Sequence, residues 1–386
     1  MSNCKICGEE NCKKHSFFIG KTRQVQEFSG SSPPEIFIGR WNYPNVYTGI
    51  LSPEKYGDTA EMSSPELWHK NNFSIQEILR NRSQLIYGRT KSQIKKPSSK
   101  FLSIMQEVAM TEKPIATEFK LKKPITKNEE NDSHVPLISN AADIAHVRLQ
   151  ENPSIKQKIE YLVNDTDVKA TTAFQELDRS NIQTSSIIKL LSAGLLGLRS
   201  NRKLVPTRWS ITAVDDSLSK EKLKRIRFYP EIKEIEVFNS EYLGNHYEIL
   251  LLPEQWSFEV IEISMKNMGV WHDHESFFPR KDYADNVTGG YYAVRLPVTE
   301  YLDRIKKQAS VIIMREVRPE YYSPLGVGIL RQANRSAFEK QANKFNTLSE
   351  AFQDIQSRLR MNIDNFLVKS IILQNYGKQK KLSQFF

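Results

Sequence analysis

The sequence predicts an α/β or α+β fold, with helices surrounding a mixed sheet. Strand-like apolar runs alternate with helical segments after residue 208, and helical patterns dominate the first half. Apolar residues then recur every three or four positions near the end, which favours a long C-terminal helix. Hydrophobic residues make up 39% and charged residues 26%, a balance that excludes a wholly disordered chain. A small cysteine-rich N-terminal knuckle and a flexible C-terminal tail complete the expected architecture.

The cysteines of the chain all lie near its start, spaced Cys4-x2-Cys7-x4-Cys12-x2-His15. Their absence from the rest of the sequence argues against a disulfide framework and for a reducing compartment. Four such ligands can close a tetrahedron around Zn²⁺ and leave no position open for catalysis. We therefore predict a structural zinc knuckle over residues 1–18. The alternative is a reactive or disordered terminus.

The first half of the chain is predicted to be mainly helical, with one short strand at residues 35–39. Ser64 is suited to N-cap a helix that begins at Pro65. Further helices are expected over residues 74–85, 101–110, 153–163, 168–179 and 185–198. Residues 91–127 hold nine lysines against three glutamates, and we expect a basic surface excursion at 91–135.

The second half is predicted to contain most of the sheet. Strands are expected over residues 209–214, 234–238, 247–252, 258–265, 290–296 and 311–317. Helices are expected over residues 219–227 and 299–308, and one continuous helix over 334–374.

A basic stretch at residues 189–227 holds ten basic residues against three acidic ones. Such side chains contact phosphates, and a neighbouring tryptophan can stack on a base. The candidate DNA-binding residues are Arg199, Arg202, Lys203, Arg208 and Trp209. The alternative is a solvated helix face with Trp209 in the core.

Two acidic residues, Asp215 and Asp216, close the strand predicted at 209–214 and are candidate catalytic ligands for Mg²⁺. Asp215 is equally suited to N-cap the following helix. The pair His272 and His274 would share one face of an extended segment and is a weaker metal candidate. The sequence has no P-loop, no dinucleotide-binding glycine motif and no nucleophile elbow, so enzymes of those kinds are not expected.

The chain ends in a segment of the form Q-x-x-L-x-x-F-F, the pattern of a sliding-clamp interaction peptide. One short turn would place Leu382, Phe385 and Phe386 on one side as an apolar plug, with the Gln379 amide beside it. The lysines nearby would face an acidic clamp surface. The alternative is a tail that folds back and buries both phenylalanines.

Long segments of the chain closely resemble the archaeal Nre proteins. They include PPEIFIGRWNYPNVYTGIL at residues 33–51 and the stretches at 190–216, 242–259, 289–309 and 314–331. The resemblance implies an N-terminal region over 19–165, an α/β core over 166–333, a helical region over 334–376 and a clamp-binding peptide over 377–386. It also implies a cytoplasmic, nucleoid-associated protein that acts in DNA damage repair and contacts the sliding clamp, PCNA.

We therefore expect a repair factor that binds DNA and is recruited to the clamp, with structural Zn²⁺ and no membrane association. A metal-dependent nuclease or other DNA-modifying enzyme is one alternative, and Mg²⁺ would then be its cofactor. A non-catalytic repair adaptor is the other.

Overall fold

The computed structural model describes residues 25–95, 99–124 and 140–378. The chain forms two compact units. The first contains the described residues up to Leu218 together with Tyr322–Gly328, and the second contains Ser219–Tyr321 and the chain from Ile329 onward. Each unit has a six-stranded mixed sheet, which confirms the mixed α/β class. Outside the described residues lie the predicted zinc ligands Cys4, Cys7, Cys12 and His15 and the predicted clamp-binding residues Gln379, Leu382, Phe385 and Phe386.

The sheet of the first unit has the order β1-β5-β6-β4-β3-β2. Its strands are β1 (Glu27–Ser32), β2 (Ile36–Ile38), β3 (Asn45–Ser52), β4 (Ile86–Gln93), β5 (Ile115–Leu121) and β6 (Ala141–Leu149). Only β4 and β6 pair in parallel; the other neighbours are antiparallel. Most of these strands were absent from the sequence prediction, because alternating patterns of small and polar residues such as EFSGSS carry little apolar signal.

Seven helices accompany this sheet in the described residues. They are α1 (Pro65–Lys70), α2 (Ile75–Ser83), α3 (Lys100–Met110), α4 (Gln157–Asn164), α5 (Ala170–Arg179), α6 (Thr184–Ser192) and α7 (Thr207–Ile226), the last of which ends in the second unit. The side chain of Ser64 accepts a hydrogen bond from the Leu67 amide, and Ser74 forms a capping box with Glu77. The predicted N-cap at Ser64 is confirmed, and the helix predicted over residues 74–85 is confirmed as α2.

Part of the predicted basic excursion belongs to the core of the first unit. Helix α3 buries Leu102, Met105 and Val108 and contacts β2, β3 and β6. Strand β5 lies between β1 and β6, and its Phe119 stacks on Phe28 with 4.7 Å between ring centroids. The lysines of this stretch therefore surround core elements, so their charge does not mark a purely surface segment.

The sheet of the second unit has the order β10-β9-β11-β8-β7-β12. Its strands are β7 (Ile235–Tyr242), β8 (Asn245–Leu252), β9 (Ser257–Ser264), β10 (Val270–Glu275), β11 (Ser310–Val317) and β12 (Asn343–Phe345). Strands β9 and β11 run parallel, and the other pairs are antiparallel. The predicted strands at 234–238, 247–252, 258–265 and 311–317 are confirmed.

Five further helices follow in the described residues: α8 (Gly289–Ile305), α9 (Val327–Ala337), α10 (Leu348–Gln356), α11 (Asp364–Leu367) and α12 (Ile371–Asn375). Helix α9 begins in the first unit, and otherwise these helices belong to the second. One sheet face, with Ile261, Ile312 and Leu250, packs against residues of α10, α11 and α12. The other face contacts α8, where Phe258 meets Tyr291 edge to face. The sheet is thus covered on both sides.

Two predicted strands are wrong. Residues 209–214 lie in α7, and residues 290–296 lie in α8. The residues of α8 from Gly290 to Thr299 are all buried, so its apolar run has no polar side to reveal a helical period. The β-branched residues near the start of α7 favour a strand only weakly, and the tertiary contacts of the folded chain override this preference.

The predicted long C-terminal helix is also wrong. Helix α9 ends at Ala337, β12 then pairs with β7, and α10 begins at a capping box in which Thr347 and Glu350 each bond the other's amide. The pattern T-x-x-E at Thr347 marks the start of a helix in the sequence, but the apolar spacing, which continues across it, favoured one unbroken helix. The predicted helix at 185–198 ends earlier, at Ser192, where Gly194 adopts a left-handed φ of +70°.

Candidate nucleic-acid interface

The start of α7 is fixed by main-chain hydrogen bonds in the first unit. The Pro206 carbonyl accepts from the amides of Trp209 and Ser210, at 2.8 and 3.0 Å. The hydroxyl of Thr207 accepts from the Ile38 amide at the end of β2, at 3.0 Å. The Trp209 side chain nevertheless remains 44% exposed, so this predicted site residue lies on the surface.

The loop between β2 and β3 carries two more exposed aromatic side chains, one of which lies beside Trp209. Trp41 is 66% exposed and Tyr43 is 44% exposed. The ring of Tyr43 lies 5.1 Å from that of Trp209, tilted by 52°. The guanidinium carbon of Arg40 lies 4.7 Å from the centre of the Trp41 ring, within cation–π range.

This loop is held in place at both ends. The Gly39 amide donates to the Tyr47 carbonyl at 2.8 Å, which closes the hairpin. The Ile94 amide donates to the Pro44 carbonyl, and the Leu204 amide donates to the Ile94 carbonyl, both at 3.1 Å. The loop, the end of β4 and the approach to α7 are therefore joined, and the aromatic side chains start from a fixed backbone.

Three basic residues adjoin the residues that anchor this loop and the start of α7. Lys95 follows Ile94, Lys203 precedes Leu204, and Arg208 precedes Trp209. Within the described part of the chain, none of these three makes a salt bridge. We call this region the aromatic–basic surface, and it consists of Arg40, Trp41, Tyr43, Lys95, Lys203, Arg208 and Trp209.

Arg202 makes main-chain contacts that the sequence did not predict. Its guanidinium donates to three main-chain carbonyls, those of Val163, Asp165 and Gly197, at 2.7 to 2.8 Å. Partial burial lowers the pKa of this guanidinium. The side chain therefore joins the end of α4 to the turn at Gly197. Arg199 lies nearby in a short 3₁₀ turn and is exposed.

The candidate catalytic residues lie within a helix rather than at a strand end. Asp215 is buried and Asp216 is partly exposed, both in the middle of α7. Among the residues that the structure describes, no group of three or more His, Cys, Asp or Glu side chains is placed to hold a metal ion.

The two histidines of β10, His272 and His274, share one face of that strand, as expected. Their rings stack with centroids 5.9 Å apart, and His272 Nε2 lies 3.3 Å from an oxygen of the buried Glu259. Glu259 also accepts hydrogen bonds from the Ser370 hydroxyl and from the amides of Ile371 and Ile372. Its carboxylate therefore caps α12.

Sequence reasoning missed a charged cluster beneath β2. Glu35 lies 3.7 Å from Arg82 and 4.0 Å from Lys189. Burial raises the pKa of the Glu35 carboxyl, although both cations oppose the rise. The sequence holds no local signal for this cluster, since its members come from the residue before β2, from α2 and from α6. It ties the strand that leads into the aromatic loop to two helices.

Among the helices in the described ranges, none has the length and apolar character needed to cross a membrane.

The chain belongs to the archaeal Nre family. The family models "Archaeal Nre, N-terminal" and "Archaeal Nre, C-terminal" match residues 2–272 and 275–385. This chain is 34% identical to the DNA repair protein NreA of Archaeoglobus fulgidus, over 100% of this chain and 98% of that protein. It is 32% identical to the DNA repair protein NreB of the same organism, over 98% of this chain and 97% of the relative.

A third relative, the DNA repair protein NreA of Haloferax volcanii, is 31% identical over 91% of this chain and 87% of its own. No solved structure matches the chain.

Arg202 and Arg208, on either side of the start of α7, are expected to differ in how much they contribute to the stability of the fold. Arg202→Ala leaves three carbonyls without their donor and should lower the free energy of unfolding by about 2 kcal/mol or more. Arg208→Ala is the matched control and should change it by less than about 0.5 kcal/mol. Urea unfolding followed by circular dichroism measures both, and equal midpoints would contradict the structural role of Arg202.

Proposed function

We propose that this chain is a DNA repair protein that binds DNA through the aromatic–basic surface of its first unit. The relatives that match nearly the whole chain are named as DNA repair proteins, which supports a role in DNA repair. The observation that carries the binding proposal is the group of three exposed aromatic rings on a stretch of backbone that also carries basic side chains. Basic side chains neutralise phosphates, and aromatic faces stack on bases of any sequence.

The geometry favours unpaired bases over intact duplex. An indole that is two-thirds exposed offers a flat apolar face, which is costly to leave in water and is satisfied by an unstacked base. In a duplex the base faces are already stacked on one another. The positive end of α7 lies at the same place and adds favourable potential for a phosphate.

The two predicted terminal elements complete the proposal. We infer that residues 379–386 dock on the sliding clamp and that Cys4, Cys7, Cys12 and His15 hold a structural Zn²⁺. A clamp tether would raise the local concentration of the DNA-binding surface at replicating DNA.

Removal of the exposed indoles should weaken DNA binding. The double variant Trp41→Ala, Trp209→Ala is expected to lose about 5- to 100-fold in affinity for single-stranded DNA, since stacking contributes about 1–3 kcal/mol per base. Fluorescence anisotropy with a labelled oligothymidylate measures it. Tyr56→Ala is the control, because Tyr56 is an exposed aromatic residue beside β1, at the other edge of the sheet. Equal losses in both variants would refute the assigned surface.

The C-terminal peptide is expected to carry clamp binding by itself. Phe385→Ala with Phe386→Ala should abolish binding to the clamp in calorimetry, because a few buried anchors supply most of the energy of such plugs. DNA affinity should stay unchanged. Ser383→Ala alters a variable position within the motif and should bind the clamp as the wild type does. Clamp binding that survives loss of both phenylalanines would rule out the motif.

Metal content tests the knuckle. The purified protein is expected to hold about one zinc per chain by mass spectrometry, and Cys7→Ser should lose it, since a tetrahedral site needs all four ligands. Lys5→Ser, between two ligands, should retain the metal. Zinc-free wild-type protein after purification without chelators would disprove the site.

A further inference from the structure

We propose that the second unit carries a nucleobase-stacking site of its own, formed by Phe277 and Phe278 with Arg227 and Phe228. This inference rests on the proposed function, since it extends DNA binding to a second contact. Phe278 is 69% exposed and Phe228 is 82% exposed. Contact of such large apolar rings with water is unfavourable, and exposed apolar side chains grouped together mark an interaction site. We call these four residues the phenylalanine surface.

Arg227 already organises the two loop phenylalanines. Its guanidinium carbon lies 5.4 Å from the centre of the Phe277 ring and 5.3 Å from that of Phe278, and these rings meet edge to face at 5.2 Å. The Arg227 Nε also donates to the Leu223 carbonyl at the end of α7. A cation held against two rings forms a platform on which a further flat π-system can stack.

The loop that presents Phe277 and Phe278, residues 276–288, is tightly anchored. Asp273 accepts from the amides of Asn286 and Val287 at 3.1 and 2.7 Å, and it pairs with Arg280 at 2.9 Å. Arg280 in turn donates to the carbonyls of Asp282 and Tyr283. This backbone is therefore ordered before any partner arrives.

A second anchor holds the start of the same loop. Glu275 accepts from the Arg280 amide at 3.1 Å and pairs with the buried Arg295 at 2.6 Å. The hydroxyl of Tyr292 accepts from the Ala284 amide at 2.9 Å. Exposed aromatic side chains on such a preordered loop reduce the entropy lost when a ligand binds, as a recognition site requires.

The charge beside this loop identifies the chemistry of the ligand. Residues 219–228, at the end of α7, hold five basic residues against one acidic residue. Lys224 pairs only with Glu221 on its own helix turn among the described contacts, and its side chain is 69% exposed. An apolar protein partner would make no favourable contact with these positive charges. A nucleic acid uses both features, since its phosphates pair with the basic side chains and its bases stack on the rings.

The test uses the full chain and an oligothymidylate that carries 5-iodouracil. Ultraviolet cross-linking followed by peptide mass spectrometry should identify adducts in the peptides that contain Phe228 or Phe277 and Phe278, because this base reacts with the rings on which it stacks. The double variant Phe228→Ala, Phe278→Ala should bind about 5- to 100-fold more weakly. Val368→Ala, which removes another exposed apolar side chain of the second unit, should bind as the wild type does.

The outcomes separate the two proposals. Normal affinity of the phenylalanine variant, with cross-links confined to residues 40–43 and 203–209, would overturn this inference and leave the proposed function standing. Failure of the wild type to bind any DNA would overturn both. Unchanged DNA binding with loss of self-association in light scattering would assign the phenylalanine surface to a second copy of the chain, and would also overturn the inference.

Discussion

The surface of the first unit depends on one hydrogen bond between distant parts of the chain. The Ile38 amide donates to the Thr207 hydroxyl across 169 residues of sequence. It places the exit of β2 against the start of α7, and the link from Pro44 through Ile94 to Leu204 repeats the connection a few residues away. Without these bonds, Tyr43 and Trp209 would have no fixed separation, and three exposed aromatic residues would not form one surface.

A comparable constraint shapes the second unit, where strand carboxylates position the C-terminal helices. Glu248 pairs with Arg358 at 2.8 Å, Glu316 accepts from the amides of Arg360 and Met361, and Glu259 caps α12. All three carboxylates are fully buried. Burial of a charge is costly unless it is paired and hydrogen-bonded, so these contacts hold the connection between α10 and α11 and the start of α12 against the sheet.

These constraints explain which parts of the structure the sequence could predict. Helices α1 and α2 follow from the local chemistry of Ser64 and Ser74, and the central strands of the second sheet follow from their apolar runs. The prediction of one long C-terminal helix was wrong because the apolar spacing outweighed the local T-x-x-E signal at Thr347, and because the later breaks are held by carboxylates on strands far away in sequence. Trp209 and Arg208 were found from local charge, but Trp41 and Tyr43 join them only through tertiary contact.

The cap at Glu259 also limits the geometry of any complex made through the end of the chain. Helix α12 is fixed to the sheet and ends at Asn375, and the proposed clamp-binding peptide begins four residues later, at Gln379. Four residues span at most about 14 Å when fully extended. A clamp bound by residues 379–386 would therefore have to lie close to the end of α12, with little freedom to move away from it.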